Sequence, residues 1–140
     1  MNGRDHRLPS SKSICRIVTQ EIWENLQREK ANIPLNRLDI QDGFVHLSTI
    51  EQVLETANRY FRREQNPKVL VLKEANLQDT LKWEMVPYRD NQMFPHLYRQ
   101  LHFEDVLGVW NIRYHPQKYF VLDVYRKLVE SCEKVEKSNK

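Results

Sequence analysis

The chain has 140 residues, of which 40% are hydrophobic and 29% are charged, and its formal net charge is +3. This is the size of one domain, no apolar run approaches the ~20 residues of a membrane-spanning helix, and the basic residues are too dispersed for a dedicated nucleic-acid binder. The N-terminus also lacks the apolar segment of a secretory signal. We therefore expect a soluble, cytoplasmic protein, compatible with a small anionic ligand and with no membrane partner.

The first part of the chain predicts a strand followed by a helix. Residues 1–12 are polar and aperiodic, which predicts a disordered lead-in, and the main domain is expected over residues 13–113. Residues 14–18 are largely β-branched or apolar and predict a strand, after which Thr19 can cap a helix. Residues 30–43 contain few apolar positions and are interpreted as a loop.

The central stretch, residues 42–50, places polar side chains at a junction between strand and helix. Residues 44–47 predict a short strand. Ser48, followed three residues later by Glu51, matches a capping box at a helix start. Apolar residues then recur at helical spacing until Asn66 and Pro67, and residues 69–72 predict a central strand.

The second half of the chain predicts fewer elements. Residues 81–86 alternate between apolar and polar positions as a half-buried strand does, and residues 87–101 are interpreted as a packed loop. Residues 106–112 predict the last strand. Residues 114–140 are interpreted as a C-terminal helical extension, with the helix beginning near Gln117. Its apolar stripe would be Phe120, Val124, Leu128 and Val135.

Three residues of the central stretch could bind an anion. His46 can donate or accept a hydrogen bond near neutral pH, and Ser48 and Thr49 lie at a helix start, where backbone amides favour phosphate. The alternative is structural, since either hydroxyl could cap the helix and His46 could be a half-buried, hydrogen-bonded residue.

Two later clusters carry further candidates. His96 and Tyr98 come from a segment that could present binding groups, although Phe94, Leu97 and Tyr98 could equally fix that segment to the core. Glu84 follows Trp83, and a carboxylate beside a large aromatic ring can serve as a general base or stabilise a developing cation. The alternative for Glu84 is a solvated surface position.

Several kinds of site are not indicated. The five histidines lack the spacing and cysteine partners of a zinc site, so no metal is predicted. Cys15 and Cys132 share no motif and predict neither a disulfide nor a catalytic pair. Gly3, Gly43 and Gly108 are too far apart for a phosphate-binding loop, so no cofactor is firmly implied.

The motifs together resemble a bacterial family known as domain of unknown function 952. The resemblance runs from Ile14 to Ile112 and rests on three ordered signatures, Asp-Gly-Phe-Val-His-Leu-Ser at 42–48, Trp-Glu at 83–84 and Phe-Pro-His-Leu-Tyr at 94–98. It implies an α+β fold similar to the ADP-ribosyltransferase core, a compact single domain with a split, mixed β-sheet flanked by helices that grips NAD. The His-Leu-Ser run is also similar to a motif of NAD-using RNA 2′-phosphotransferases.

The resemblance implies roles for individual residues. Arg16 would contact the ribose of NAD, and Ser48 and Thr49 would shape the nicotinamide pocket. Glu84 would be catalytic, and His46 and His96 would hold phosphate or ribose. The catalytic set is then Glu84, His46 and His96, and the ligand-binding set is Arg16, Ser48, Thr49, Trp83 and Tyr98.

The expected reaction is cleavage of the nicotinamide glycosidic bond, with Glu84 stabilising an oxocarbenium-like state. NAD would be the substrate rather than a resident cofactor. Two alternatives stay open, a nucleotide-binding module without chemistry and a protein-interaction domain that docks a partner through Trp83, Phe94 and Tyr98.

Overall fold

The computed structural model describes residues 12–128. Within this range the chain forms eight β-strands, three α-helices and several short 3-10 turns. Their bounds are β1 Ile14–Val18, α1 Gln20–Glu29, α2 Arg37–Asp42, β2 Val45–His46, β3 Ser48–Thr49, α3 Ile50–Tyr60, β4 Lys68–Leu72, β5 Leu81–Val86, β6 Gln92–Leu97, β7 Val106–His115 and β8 Tyr119–Lys127. No helix of this part of the chain is long and apolar enough to cross a membrane.

The strands form two sheets. The larger has the order β3-β1-β4-β7-β8, and the smaller has the order β2-β6-β5. β4 is central in the larger sheet because its apolar residues from Val69 to Leu72 are buried on both faces. The α+β class predicted from the sequence is confirmed. Every strand pair between residues 12 and 128 is antiparallel, so the prediction of a mixed sheet is wrong.

The core lies on both faces of the larger sheet. On one face Leu70 and Leu72 pack with Trp23 of α1 and with Leu97 of the smaller sheet. On the other face α3 packs against β1, β4 and the β7–β8 hairpin, and the buried residues there include Val53 and Ala57. Apolar burial on these two faces is the main stabilising contribution and fixes the smaller sheet beside the larger one.

The local predictions for β1, α1, β4 and β5 are confirmed. Thr19 caps α1 and accepts a hydrogen bond from the Ile22 amide at 3.2 Å. The capping box of α3 is shifted by one residue from the predicted one, since Thr49 and Gln52 form it instead of Ser48 and Glu51. Ser48 is paired with Cys15 and Thr49 with Ile14 in the larger sheet, and Thr49 is the last residue of β3 before α3 begins.

Three segments differ from their predicted structure. The loop predicted over residues 30–43 contains α2, and the loop predicted over 87–101 contains β6. The helix predicted from Gln117 is strand β8 over Tyr119–Lys127, and residues 129–140 lie outside the described part. A β-bulge near Asn111 and Ile112 shifts the alternation of the hairpin, so the buried residues of β8, Phe120 and Tyr125, are five positions apart. Val124, assigned to the helical stripe, is 52% exposed.

Candidate functional site

The candidate site lies between the two sheets, at the point where the consecutive strands β2 and β3 separate and join different sheets. β3 covers only Ile14 and Cys15 of β1, and the preceding residues, Val45 and His46, pair with β6 instead. This divergence leaves an open edge at Arg16, and a cavity of about 220 Å³ occupies the gap. Four basic side chains line it, Arg16, His46, Arg89 and His96, and its lining includes no carboxylate.

Asp39 of α2 lies behind this cavity and organises one wall. Its fully buried carboxylate accepts two hydrogen bonds from the Arg16 guanidinium, at 2.6 and 3.3 Å, and one from the Asn36 amide at 2.9 Å. It also accepts the His46 backbone N–H at 3.0 Å and lies 2.8 Å from His46 Nδ1. The capping box of α2, formed by Asn36 and Asp39, holds the carboxylate in this position.

The Asp39 carboxylate is ionised in the folded protein. Burial raises the pKa of Asp39, but the hydrogen bonds from His46 and Arg16 outweigh that effect and hold the pKa well below its ordinary range. Arg16 also donates to the His46 carbonyl at 2.9 Å, so it bridges the gap between β1 and β2. Arg16 is therefore chiefly a structural residue at the back of the cavity.

The His46 ring lies between two carboxylates. Nδ1 is 2.8 Å from Asp39 and Nε2 is 2.9 Å from Asp42. His46 therefore lines the cavity with both ring nitrogens already occupied by carboxylate contacts.

His96 is the imidazole whose second nitrogen is available. Its Nδ1 lies 2.7 Å from Glu84 Oε1, and Nε2 makes no hydrogen bond to any residue between 12 and 128. The Phe44 ring stacks on His96 with centroids 4.0 Å apart and fixes the ring plane. His96 is therefore buried, lines the cavity, and is oriented by a carboxylate on one side.

The Glu84 carboxylate is held by two donors. Tyr98 donates its hydroxyl to Glu84 Oε1 at 2.7 Å, beside the His96 contact. The hydrogen bonds from His96 and Tyr98 lower the pKa of Glu84, and the bond to Glu84 raises the pKa of the Tyr98 phenol. Glu84 and Tyr98 are not part of the cavity lining. Their connection to the cavity is the hydrogen-bonded contact with His96.

Arg89 lines the opposite wall and was not identified from the sequence. It ends the short 3-10 turn Pro87–Arg89 and is only 5% exposed. Its guanidinium donates to Thr56 Oγ1 at 3.0 Å and lies 4.6 Å from the centre of the Phe94 ring. The closest carboxylate, Glu55, is half exposed and 3.7 Å away, and the buried Nε of Arg89 has no partner in the described part of the chain.

Two hydroxyl groups continue this wall. Thr56 donates its proton to the Gln52 carbonyl at 3.2 Å and accepts from Arg89. The 3.1 Å contact between Ser48 Oγ and Thr56 Oγ1 then has Ser48 as its donor, because Thr56 has one proton. Ser48 therefore joins a hydrogen-bonded chain that leads to Arg89.

The structure brings only some of the predicted site residues together. Arg16, His46, Ser48 and His96 line the cavity, and Glu84 and Tyr98 contact His96 from behind. Thr49 caps α3 and Trp83 lies on the other face of β5, so both border a separate shallow groove. Phe94 is buried beneath Arg89, so Trp83, Phe94 and Tyr98 do not form one docking surface. The residues between 12 and 128 hold no metal-binding cluster of three or more His, Cys, Asp or Glu.

Other lining residues were missed for different reasons. The spacing of Asn36 and Asp39 is that of a capping pair and could have revealed α2. Thr56 and Tyr60 lie on α3, and the helical spacing of its apolar residues does not indicate that these two line a cavity. Arg89 follows Tyr88 in a segment without periodicity, and no local sequence signal indicates that it is buried.

Comparison with known proteins relates this architecture to one family. A family model described as "Protein of unknown function (DUF952)" matches residues 17–109. The crystal structure of protein CC0527 from Caulobacter crescentus is 30% identical, with a TM-score of 0.67, and the match covers 77% of this chain and 92% of that chain. The solution NMR structure of CC0527 is 31% identical, with a TM-score of 0.64, and the match covers 76% of this chain and 90% of that chain. No curated protein matches this chain.

Proposed function

We propose that this chain, which belongs to the DUF952 family, binds a phosphorylated nucleotide of the NAD class in the cavity between its two sheets. One observation carries this proposal: Arg89 is buried in the lining without a carboxylate at hydrogen-bonding distance. The NAD class is taken from the resemblance of the sequence motifs to NAD-using enzymes.

A buried guanidinium normally has an anionic partner. Transfer of a charge from water into a protein interior costs several kcal/mol, and a close carboxylate or phosphate offsets that cost. Asp39 does so for Arg16, whereas Arg89 has one neutral hydroxyl and a carboxylate at 3.7 Å. An anion beside Arg89 would supply an ionised acceptor at hydrogen-bonding distance, which none of the described residues does.

The cavity size limits how the ligand could bind. At about 220 Å³ it is smaller than the roughly 300–1,000 Å³ of typical ligand sites. A dinucleotide would therefore place one phosphate and its sugar inside and extend beyond the mouth. The lining combines the basic groups with apolar side chains such as Ile17 and Phe61, as expected for a ligand that has both charged and apolar parts.

Replacement of Arg89 by methionine should weaken binding of NAD and ADP-ribose about tenfold or more, since a charge-assisted hydrogen bond is worth about 1.5–3 kcal/mol. Isothermal titration calorimetry would measure the dissociation constants. Arg113→Met is the matched control because Arg113 is exposed on β7 and is not part of the lining. Equal affinities of wild type and Arg89→Met, or no binding of either nucleotide by wild type, would contradict the proposal.

Cleavage of the nicotinamide–ribose bond is a second candidate function, and the Glu84–His96 pair favours it. His96 Nε2 could accept a proton from a water molecule as its oxygen bonds to the ribose carbon, while nicotinamide leaves with the electron pair of the broken bond. Glu84 would orient His96 and stabilise the imidazolium ion. This assigns Glu84 a positioning role, because its carboxylate contacts His96 and Tyr98 rather than the cavity.

In this reaction Glu84→Gln should reduce nicotinamide release about 10²-fold, the lower end of the contribution of a general base. The affinity for ADP-ribose should not change, because Glu84 does not line the cavity. Release can be followed by chromatography over a range of pH, with Glu104→Gln, an exposed glutamate, as the control. Unchanged release from Glu84→Gln would remove Glu84 from the mechanism.

A further inference from the structure

Basic and aromatic side chains occupy different parts of the cavity. The basic side chains Arg16, Arg89 and His96 are each 5% exposed and lie in its interior. Two tyrosines that line the same cavity are far more exposed, Tyr60 at 46% and Tyr88 at 63%. The cavity therefore has a cationic interior and an aromatic mouth.

The two tyrosines come from different elements. Tyr60 ends α3, and Tyr88 belongs to the turn Pro87–Arg89. The turn directs two consecutive side chains differently, so the Arg89 guanidinium is buried while the Tyr88 ring is at the surface. Asp90 and Asn91, which follow, both have left-handed backbone conformations that end the turn sharply.

The tyrosines are close enough to influence each other. Partial burial raises the pKa of Tyr88, and Tyr60 raises it further, while Arg89 opposes the change. The two rings make no direct ring contact with each other in the described structure, since Tyr60 and Tyr88 do not occur among its aromatic pairs. Exposed phenol rings that border one opening without packing together leave their faces accessible to a planar group.

We propose that Tyr60 and Tyr88 form a stacking subsite for the base of a nucleotide whose phosphate lies beside Arg89, an inference that rests on the proposed function. Stacking of a base on an aromatic side chain tolerates any base, because every base has a π-face. The subsite would therefore distinguish a nucleotide from a sugar phosphate and would discriminate only weakly among the bases.

The test compares AMP with ribose 5-phosphate, which has the same phosphate and sugar but no base. Calorimetry with Tyr88→Ala and Tyr60→Ala should show AMP binding weakened about 5- to 150-fold per ring, with ribose 5-phosphate binding unchanged. Tyr88→Phe, which keeps the ring, should bind AMP as wild type does. Tyr119→Ala is the control, since Tyr119 has similar exposure on β8, is outside the lining, and stacks on His115.

The outcomes separate this inference from the proposed function. Suppose that wild type binds both ligands. If the alanine variants then lose affinity for both ligands equally, or keep full affinity for both, the stacking subsite is wrong while anion binding stands. A loss in Tyr88→Phe equal to that in Tyr88→Ala would show that the hydroxyl, not the ring, contacts the ligand, and would also overturn it. If wild type binds neither AMP nor ribose 5-phosphate, both proposals fail together.

Discussion

Replacement of Asp39 by alanine is expected to lower the free energy of unfolding by about 3–5 kcal/mol, the range for loss of one partner of a buried ion pair. The substitution removes both hydrogen bonds to the Arg16 guanidinium and leaves its charge buried without a partner. It also removes the acceptor for the His46 and Asn36 amides. Urea denaturation followed by circular dichroism at pH 7 would measure the difference.

The contribution of Asp39 should also depend on pH. The folded-state pKa of Asp39 is depressed, so its stabilising effect is fully present above the unfolded-state pKa, about 3.9. As the pH falls below that value toward the depressed folded-state pKa, the stabilising effect is progressively lost. The stability difference between wild type and Asp39→Ala should therefore be constant between pH 5 and pH 7 and become smaller below about pH 4.

Asp42→Ala is the matched control for this experiment. Asp42 lies on the same helix and contacts His46 Nε2 at 2.9 Å, but its carboxylate is one-third exposed and its partner keeps a second carboxylate. We expect Asp42→Ala to lower the free energy of unfolding by about 0–1 kcal/mol, as for loss of a surface ion pair. Comparable losses in Asp39→Ala and Asp42→Ala would show that burial of Asp39 is not the source of the stabilisation.

Leu97→Ala should lower the free energy of unfolding by about 2–5 kcal/mol, the range for truncating a fully buried leucine side chain. Leu97 is 0% exposed, and it is the residue of β6 that packs into the core against the larger sheet. It also adjoins His96, so the substitution removes packing directly beside the candidate site. Thermal unfolding should show a midpoint lowered by several degrees, and chemical denaturation would give the free energy.

Met93→Ala provides the comparison for Leu97→Ala. Met93 is on the same strand, pairs with Met85 of β5, and is half exposed. Its truncation should change the free energy of unfolding by less than about 1 kcal/mol, close to other surface substitutions. If Leu97→Ala were no more destabilising than Met93→Ala, the attachment of the smaller sheet to the core would have been misassigned.

The elements that could be predicted from the sequence have strong local signals. β1 and β4 are short apolar runs, and α1 combines an apolar stripe with the cap at Thr19. α2 was not predicted because it has six residues and both of its apolar residues, Leu38 and Ile40, are exposed, so no buried stripe marks it. The helix predicted near the C-terminus failed because its apolar stripe included Val124, which is exposed on β8, whereas the bulged strand buries Phe120 and Tyr125.

β6 was missed because it contains Pro95, and proline in a central strand removes a hydrogen-bond donor. The strand accommodates it because Pro95 acts there as an acceptor, with its carbonyl bound to the Leu47 amide at 3.2 Å. The neighbouring pair of His46 and His96 depends on the register of β2 against β6. The sequence motifs identify both histidines as candidates, but no local pattern specifies that register.

The placement of the remaining site residues depends on tertiary contacts alone. Glu84 was predicted as a catalytic carboxylate, and the register of β5 against β6 instead sets it behind His96. Arg89 lies in a segment without periodicity, and its burial follows from packing against Phe94 and Thr56. The ADP-ribosyltransferase-like architecture implied by the resemblance stays a prediction.

The crossing of the chain at Leu47 determines how cooperatively the site can exist. His46 belongs to the smaller sheet and Ser48 to the larger one, so one residue separates the two pairings. Unfolding of one sheet therefore disrupts the strand pairing of the other, and the two sheets should unfold in one cooperative transition. The cavity is lined by residues of both sheets, so it should be lost in the same transition as the fold.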